Sequence, residues 1–268
     1  MTARTLTKHN ADDPRWGDPF GYAVTSRDRD TLTLVRDALA HNRARLAYMP
    51  IVLSGAHARV AFYEGLIRVM DDGGRVIPAA QFMPLIEDTD LGREIDIVTL
   101  ELAMKVLRST ANLRLSVNVS ARSIGDGAWR RTLDTALCSG GHLGDRLIFE
   151  ISEDSAMLLP EIVTRFMAEM QPLGVGFALD GFGAGLISFK HLKDFFFDLV
   201  KIDKGFVRNV ARNSDSQVIV EALITIAKQF EMLTIADGVE SRDDAAFLER
   251  IGVECLEGYL FGTPRFEL

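Results

Sequence analysis

The sequence predicts an α/β fold, a (β/α)8 barrel whose first two strands form an antiparallel hairpin. Three observations predict it. Eight short β-rich apolar runs recur along the chain, the later ones alternate with amphipathic helical stretches, and polar residues stand at the downstream ends of the runs, where a parallel barrel builds its site. With 268 residues, 47% hydrophobic and 25% charged, the chain can bury one barrel-sized core.

Taken in order, residues 1–28 are polar, carry Pro14, Gly17 and Pro19 and lack a helical period, so they read as a poorly ordered lead-in. Residues 29–44 read as an N-terminal helix, because Leu32, Leu34, Val35, Leu39 and Ala40 share one face. Residues 45–268 form the barrel domain. Its eight candidate strands are RLAYMPIV, VAFYEGLI, LRLSVNV, RLIFEIS, VGFALD, DLVKID, MLTIAD and ECLEGYL. The helical patterns between them include GREIDIVTLELAMKVLR, PEIVTRFMAEMQ, SQVIVEALITIAKQF and RDDAAFLERI. The first two strands are joined only by LSGAHAR, too short for a crossover helix, which predicts the hairpin.

Composition narrows the function classes. A formal net charge of −8 and a pI near 5.2 argue against DNA or RNA held by phosphate neutralisation. Two cysteines, Cys138 and Cys255, stand far apart and form no disulfide framework or zinc pattern, which fits a reducing cytoplasm. The start lacks an apolar signal region and the apolar stretches are short, so neither an export signal nor a membrane span is expected.

The strand ends carry the chemistry. Glu64 closes the second run, Asn118 the third, Glu150 the fourth with Glu153 just beyond, and Asp180 the fifth. Lys201 and Asp203 close the sixth, Asp237 and Glu240 the seventh, and Glu257 the eighth. So many acids at one mouth repel one another unless cations bind between them. Oxygen donors without histidine suit Mg²⁺ or Mn²⁺ rather than zinc, and the five histidines form no metal-spaced pair. The glycine-rich DGFGAG stretch lacks the GK[ST] ending of a nucleotide P-loop.

Eight motifs in register resemble the EAL family of cyclic di-GMP phosphodiesterases: YMPIV, AFYEGLIR, NVS, FEISE, LDGFGAG, VKID, IADGVE and LEGYLF. The resemblance implies a modified TIM barrel of EAL type, with cyclic di-GMP lying across the strand ends and two divalent ions about 3.5–4 Å apart clamping the phosphate for hydrolysis to pGpG. It implies that Glu64, Asn118, Glu150 and Asp180 hold the first metal, with Asp203 beside them, and that Lys201 orients or deprotonates the attacking water. On the same basis Glu64 and Asp203 join Lys201 as catalytic residues, Arg68 binds a ligand phosphate, and Glu153 steadies the loop after the fifth strand. Family members commonly pair near that loop. A homodimer is therefore expected, with the FFFD run at Phe195 either a contact or an ordinary core segment.

The departures from the pattern matter as much. Gly181 replaces an aspartate that serves the second metal, and Asp237 replaces a glutamate there with a reach shorter by about 1.5 Å. Met49 and Glu257 stand where the family's ligand-contacting glutamines are. The expectation is a signalling protein that binds cyclic di-GMP with a divalent metal but hydrolyses it weakly or not at all, passing its state to a protein partner. Two alternatives stay open: a competent phosphodiesterase in which other groups rebuild the second site, and a scaffold that binds protein but no nucleotide.

Overall fold

The computed structural model of the chain describes residues 19–55, 58–185 and 189–268, without the side chains of residues 19–27 and 189–190. Nine strands form one sheet: β1 (Ala44–Leu53), β2 (Val60–Met70), β3 (Val76–Pro78), β4 (Leu115–Asn118), β5 (Leu147–Ser152), β6 (Gly176–Phe182), β7 (Leu199–Ile202), β8 (Leu233–Ala236) and β9 (Cys255–Glu257). Their order is β1-β9-β8-β7-β6-β5-β4-β2-β3, and β1 also pairs with β2. Eight strands therefore close into a ring, with the three-residue β3 hanging on β2 outside it. The hairpin is present: β1 and β2 pair antiparallel from Ala44↔Val69 to Val52↔Val60, and β1 pairs antiparallel with β9 to complete closure. The remaining ring pairs are parallel. The strand β3, too short for a periodic signal, has no counterpart among the eight predicted runs.

Helices cover the outside: α1 (Pro19–Ala40), α2 (Met83–Ile86), α3 (Asp90–Ser109), α4 (Ala121–Ile124), α5 (Gly127–Cys138), α6 (Glu153–Leu158), α7 (Pro160–Met170), α8 (Phe189–Leu192), α9 (Lys204–Val207), α10 (Ser214–Gln229) and α11 (Arg242–Ile251). Sequence dictates several of their ends. Asp126, Ser152, Asn213 and Ser241 accept backbone N–H bonds as N-caps, and Gly252 ends α11 in the left-handed region at φ 86°.

The N-terminal helix differs from expectation. It begins at Pro19, not at residue 29, and stops at Ala40, because Asn42 takes the left-handed φ of 56° and the chain then enters β1 at Ala44. Proline suits a first helical position, and once the apolar turn from Leu32 nucleates a helix, extending it through weakly patterned residues is cheap. The rest of the predicted lead-in, residues 1–18, lies outside the described residues.

Two cores result. The larger lies between strands and helices and includes Trp129, Phe149, Phe166 and Phe177 in mutual ring contact. The smaller fills the barrel: Ile51, Phe62, Ala178, Leu199, Ile235 and Cys255, with Ile148 against them. Side chains alternate in and out along each strand, so these residues fix which positions face inward. Phe195 and Phe197 of the FFFD run are buried with ring centroids 5.5 Å apart, while Phe196 is exposed.

Candidate active site

Two residues above each interior apolar position, the alternation turns polar. Phe62 is followed inward by Glu64, Ile148 by Glu150, Leu199 by Lys201 and Cys255 by Glu257, all on alternate ring strands β2, β5, β7 and β9. A barrel of this kind stacks its interior in four-residue layers drawn from alternate strands, usually branched aliphatics. Here the upper layer is three carboxylates and one ammonium, each residue no more than 6% exposed.

The ammonium organises the layer. Lys201 Nζ donates to Glu64 Oε2 at 2.8 Å and to Glu150 Oε2 at 2.9 Å, and lies 3.0 Å from Glu257 Oε2. Asn118 Nδ2 donates to Glu64 Oε1 at 2.8 Å, and the Ser116 hydroxyl donates to Glu150 Oε1. Both oxygens of Glu64 and Glu150 are thus engaged. Glu257 is sealed from solvent, its Oε2 facing the ammonium without a regular hydrogen bond, and its carboxyl shares a side-chain hydrogen bond with that of Glu64.

One ammonium cannot balance three buried carboxylates. Although burial alone would raise the Glu64 carboxyl, the Lys201 charge and its hydrogen bonds bring it down to about 2. Burial and the charges of Glu64 and Asp180 push Glu150 up to about 8. Glu257 is raised well above the usual range by burial, against the pull of Lys201 and with Glu64 and Glu150 adding to the rise. At neutral pH the layer is held by the Glu64–Lys201 ion pair, with Glu150 retaining its proton.

Around this layer the other predicted residues take distinct places. Asp237 is half-buried and raised by burial, with Glu64 and Asp180 adding to the rise. Gly181 sits at a register jump, where Leu179 pairs with Val200 but Phe182 with Ile202; its φ is 75°, and a Cβ there would meet nothing within 4 Å. This is a β-bulge with glycine in the left-handed position, which leaves no carboxylate beside Asp180. Met49 is buried opposite Glu64 in the hairpin register. Arg68, half-buried and lowered by burial, donates to Ile67 O at 2.9 Å and feels the charges of Glu64 and Tyr259. Asp203 is drawn into local structure as the N-cap of α9, accepting from Gly205 N at 2.7 Å. Glu153 opens α6 and its Oε1 accepts from Gly183 N at 2.8 Å, joining α6 to the turn after β6.

One group was not read from the sequence. Asp96, on the buried face of α3, accepts from Ser120 N at 3.1 Å and is pushed up to about 6 by burial, with the Ser123 and Ser120 bonds working against the rise. It lines a cavity of about 280 Å³ with Gly65, Thr99, Asn118, Ser120 and Glu150, so the cavity opens onto the carboxylate layer. Thr99 Oγ1 is buried there without a partner. The signal was an aspartate between apolar positions at helical spacing, Ile95, Asp96, Thr99 and Leu100.

The donor set suits a hard divalent cation in kind, being all oxygen and rich in negative charge. Among the described residues, however, no three acidic, histidine or cysteine side chains already converge as a preformed cage; the Lys201 ammonium stands between them instead.

Comparison with known proteins agrees with this geometry. The bifunctional diguanylate cyclase/cyclic di-GMP phosphodiesterase MucR of Pseudomonas aeruginosa is 30% identical over 253 residues, 91% of this chain and 37% of that protein. The cyclic di-GMP phosphodiesterase PdeF of Escherichia coli is 28% identical over 235 residues, 86% of this chain and 31% of its own length. The chain therefore spans about a third of the length of these relatives. A MucR phosphodiesterase structure in complex with c-di-GMP superposes with a TM-score of 0.80 at 30% identity, covering 88% of this chain and 97% of that one. The EAL domain of FimX from Pseudomonas aeruginosa, bound to c-di-GMP, does so with a TM-score of 0.80 at 26% identity over the same shares. No helix among the described residues is long and apolar enough to cross a membrane. The EAL domain model matches residues 34–264, and the chain belongs to the EAL domain family.

Proposed function

We propose that the chain binds cyclic di-GMP across the barrel mouth together with Mg²⁺ or Mn²⁺, and that hydrolysis to pGpG is weak or absent. The observation that carries this reading is the uneven mouth: a full carboxylate layer around Lys201 on one side, and on the other a bulge where Gly181 has no side chain. A divalent ion bound at the layer would polarise a phosphoryl oxygen and lower the pKa of a bound water. The chain's own groups do the rest. Lys201 and Asn118 fix the Glu64 carboxylate, and Ser116 and Lys201 fix Glu150. The Arg68 guanidinium, without an ion pair among the described residues, offers a fork for two phosphate oxygens. The cavity beside Asp96 is of a size for one purine ring, whose N–H edge a carboxylate accepts.

Losing a carboxylate at position 181 removes charge stabilisation of the transition state while leaving the ground-state contacts above in place, which favours binding over turnover. Glu257 supports a second reading, a competent phosphodiesterase, because it adds a carboxylate to the layer. The test is incubation of the purified chain with cyclic di-GMP and Mg²⁺ or Mn²⁺, chromatography for pGpG, and equilibrium binding with Ca²⁺ substituted. Tight binding without product is the expected result. Prompt pGpG establishes the competent enzyme, and neither binding nor product leaves a protein-interaction scaffold.

A further inference from the structure

We propose that Arg45 is a ligand-binding residue: side by side with Arg68 on the β1–β2 hairpin, it holds the phosphodiester of cyclic di-GMP that does not meet the carboxylate layer. The inference rests on the reading that the mouth takes this nucleotide, and deepens it by naming a second anchor on the wall of the mouth.

Register places the pair. Arg45 of β1 stands directly opposite Arg68 of β2, and at every second position toward the barrel floor come Ala47 opposite Leu66, Met49 opposite Glu64 and Ile51 opposite Phe62. Ile51 and Phe62 belong to the inner core, whereas Ala44, Leu46, Ile67 and Val69 pack in the outer one. Arg45 and Arg68 therefore share the inner face with Glu64. Directly opposed side chains stand about 5 Å apart, which sets the two guanidiniums within reach of one phosphate. Arg68 is four residues beyond Glu64, about 13 Å along an extended strand, so the pair forms a second station above the carboxylate layer. A cyclic dinucleotide has two phosphodiesters to divide between the two stations.

Charge shows why the pair calls for an anion. Like charges directly opposite one another in a sheet are destabilising, and nothing in the hairpin relieves them. Its three acids are engaged elsewhere: Asp71 pairs with Arg75, Asp72 with Arg43, and Glu64 is held by Lys201 and Asn118. Pro78, on the other flank of Arg68, has no charge to give. Among the described residues neither Arg45 nor Arg68 makes an ion pair, and Arg68 has only the Ile67 carbonyl, although the chain carries 38 acidic residues against 30 basic. Arg45 is exposed and Arg68 half-buried, so both are open to a ligand arriving from the mouth. The two non-bridging oxygens of a phosphodiester match a pair of guanidinium forks.

Calorimetric titration of the full chain with cyclic di-GMP in Ca²⁺, at low and at high salt, tests the assignment, with thermal unfolding of the ligand-free proteins alongside. Wild type, Arg45→Gln, Arg45→Lys and the surface control Arg131→Gln on α5 are compared. The expected result is that Arg45→Gln, which keeps most of the stem and loses the charge, weakens binding about tenfold at low salt, the loss of one charge-assisted contact. The loss is smaller at high salt, where an exposed pair is screened. Arg45→Lys restores part of the affinity, since it keeps the charge without the fork, and Arg131→Gln binds as wild type. Ligand-free Arg45→Gln unfolds at or above the wild-type Tm, because a repulsion has been removed; loss of a structural arginine would lower it. Equal affinity in wild type and Arg45→Gln, or a weakening that comes with a fallen Tm, overturns the role of Arg45 and leaves the nucleotide-binding reading standing. If wild type itself binds no cyclic di-GMP at millimolar concentration, that reading fails and the present inference with it.

Discussion

Replacing Lys201 by methionine removes the one cation from a layer of three buried carboxyls while keeping most of the length of the unbranched side chain. Glu64, held down to about 2 by that ammonium, then has no charge to face and must keep a proton to remain buried. Holding a carboxyl neutral at pH 7.5 when its ordinary value is 4.5 costs about 1.4 kcal/mol per pH unit over three units, or about 4 kcal/mol. That agrees with the roughly 3–5 kcal/mol expected when one partner of a buried ion pair is removed. For a chain of this size it corresponds to a fall in Tm of about 10 °C. At pH 4.5 the unfolded chain is itself half protonated at such a group, so the same requirement costs about 0.4 kcal/mol. Urea unfolding of wild type and Lys201→Met at pH 7.5 and pH 4.5 reads both numbers. A loss of equal size at the two pH values would refute the reasoning, because it would mean that Lys201 contributes through packing rather than through charge.

Glu150, raised to about 8, binds a proton in the folded chain that the unfolded chain releases from 4.5 upward. Metal-free stability should therefore fall as pH rises from about 4.5 through 8, and Glu150→Gln should flatten that slope in urea midpoints. Gly181→Asp enters open space but must adopt a φ of 75°, a strain of about 1 kcal/mol. The variant should stay folded by Tm, and it should raise pGpG formation if the missing carboxylate limits turnover; unchanged turnover removes that explanation. Gly258→Ala places a methyl carbon 2.0 Å from Val239 O at a φ of 155°, so a loss of at least about 3 kcal/mol or failure to fold is expected, read as soluble yield and Tm. Glu153→Ala removes the acceptor of the Gly183 amide, and hydrogen exchange at that amide should speed about tenfold, matching roughly 1.4 kcal/mol for a bond to a charged group.

What the sequence made legible was local. Alternation in β1 and β2 with a seven-residue connection left no room for a helix, and the hairpin follows from that length alone. Strand-end acids could be named because each closes a short apolar run. The start of α1 at Pro19 was not legible, since nothing in FGYAVTSRDRD has a helical period and the signal for that helix lies downstream, from Leu32. The convergence of Glu64, Glu150, Lys201 and Glu257 at one mouth was legible, but their sharing one layer was not, because it depends on which strands alternate around the closed ring. Asp203 shows the opposite limit. Its place in VKID marks it as a site residue, but the following KGFV turn also makes it an N-cap, and the structure has its carboxylate on the Gly205 amide.

The layer view also explains why the acids can be so closely packed without unfolding the barrel. Beneath them lie Phe62, Ile148, Leu199 and Cys255, an apolar layer that keeps water out from below, with Ile51, Ala178 and Ile235 between the two. Solvent can reach the carboxylates only from the mouth, where Asn118 is exposed and Asp180 and Asp237 are half-buried. A dry floor strengthens every interaction in the layer, both the attraction of Lys201 for Glu64 and the repulsion that raises Glu150 and Glu257. Any cation entering from the mouth must therefore displace protons as it binds, and its affinity should rise with pH over the range in which Glu150 titrates, near 8. Ligand chemistry at this site is in that sense set by the floor as much as by the mouth: a polar residue in the lower layer, such as Leu199→Asn, would admit water and weaken both effects without touching a single carboxylate.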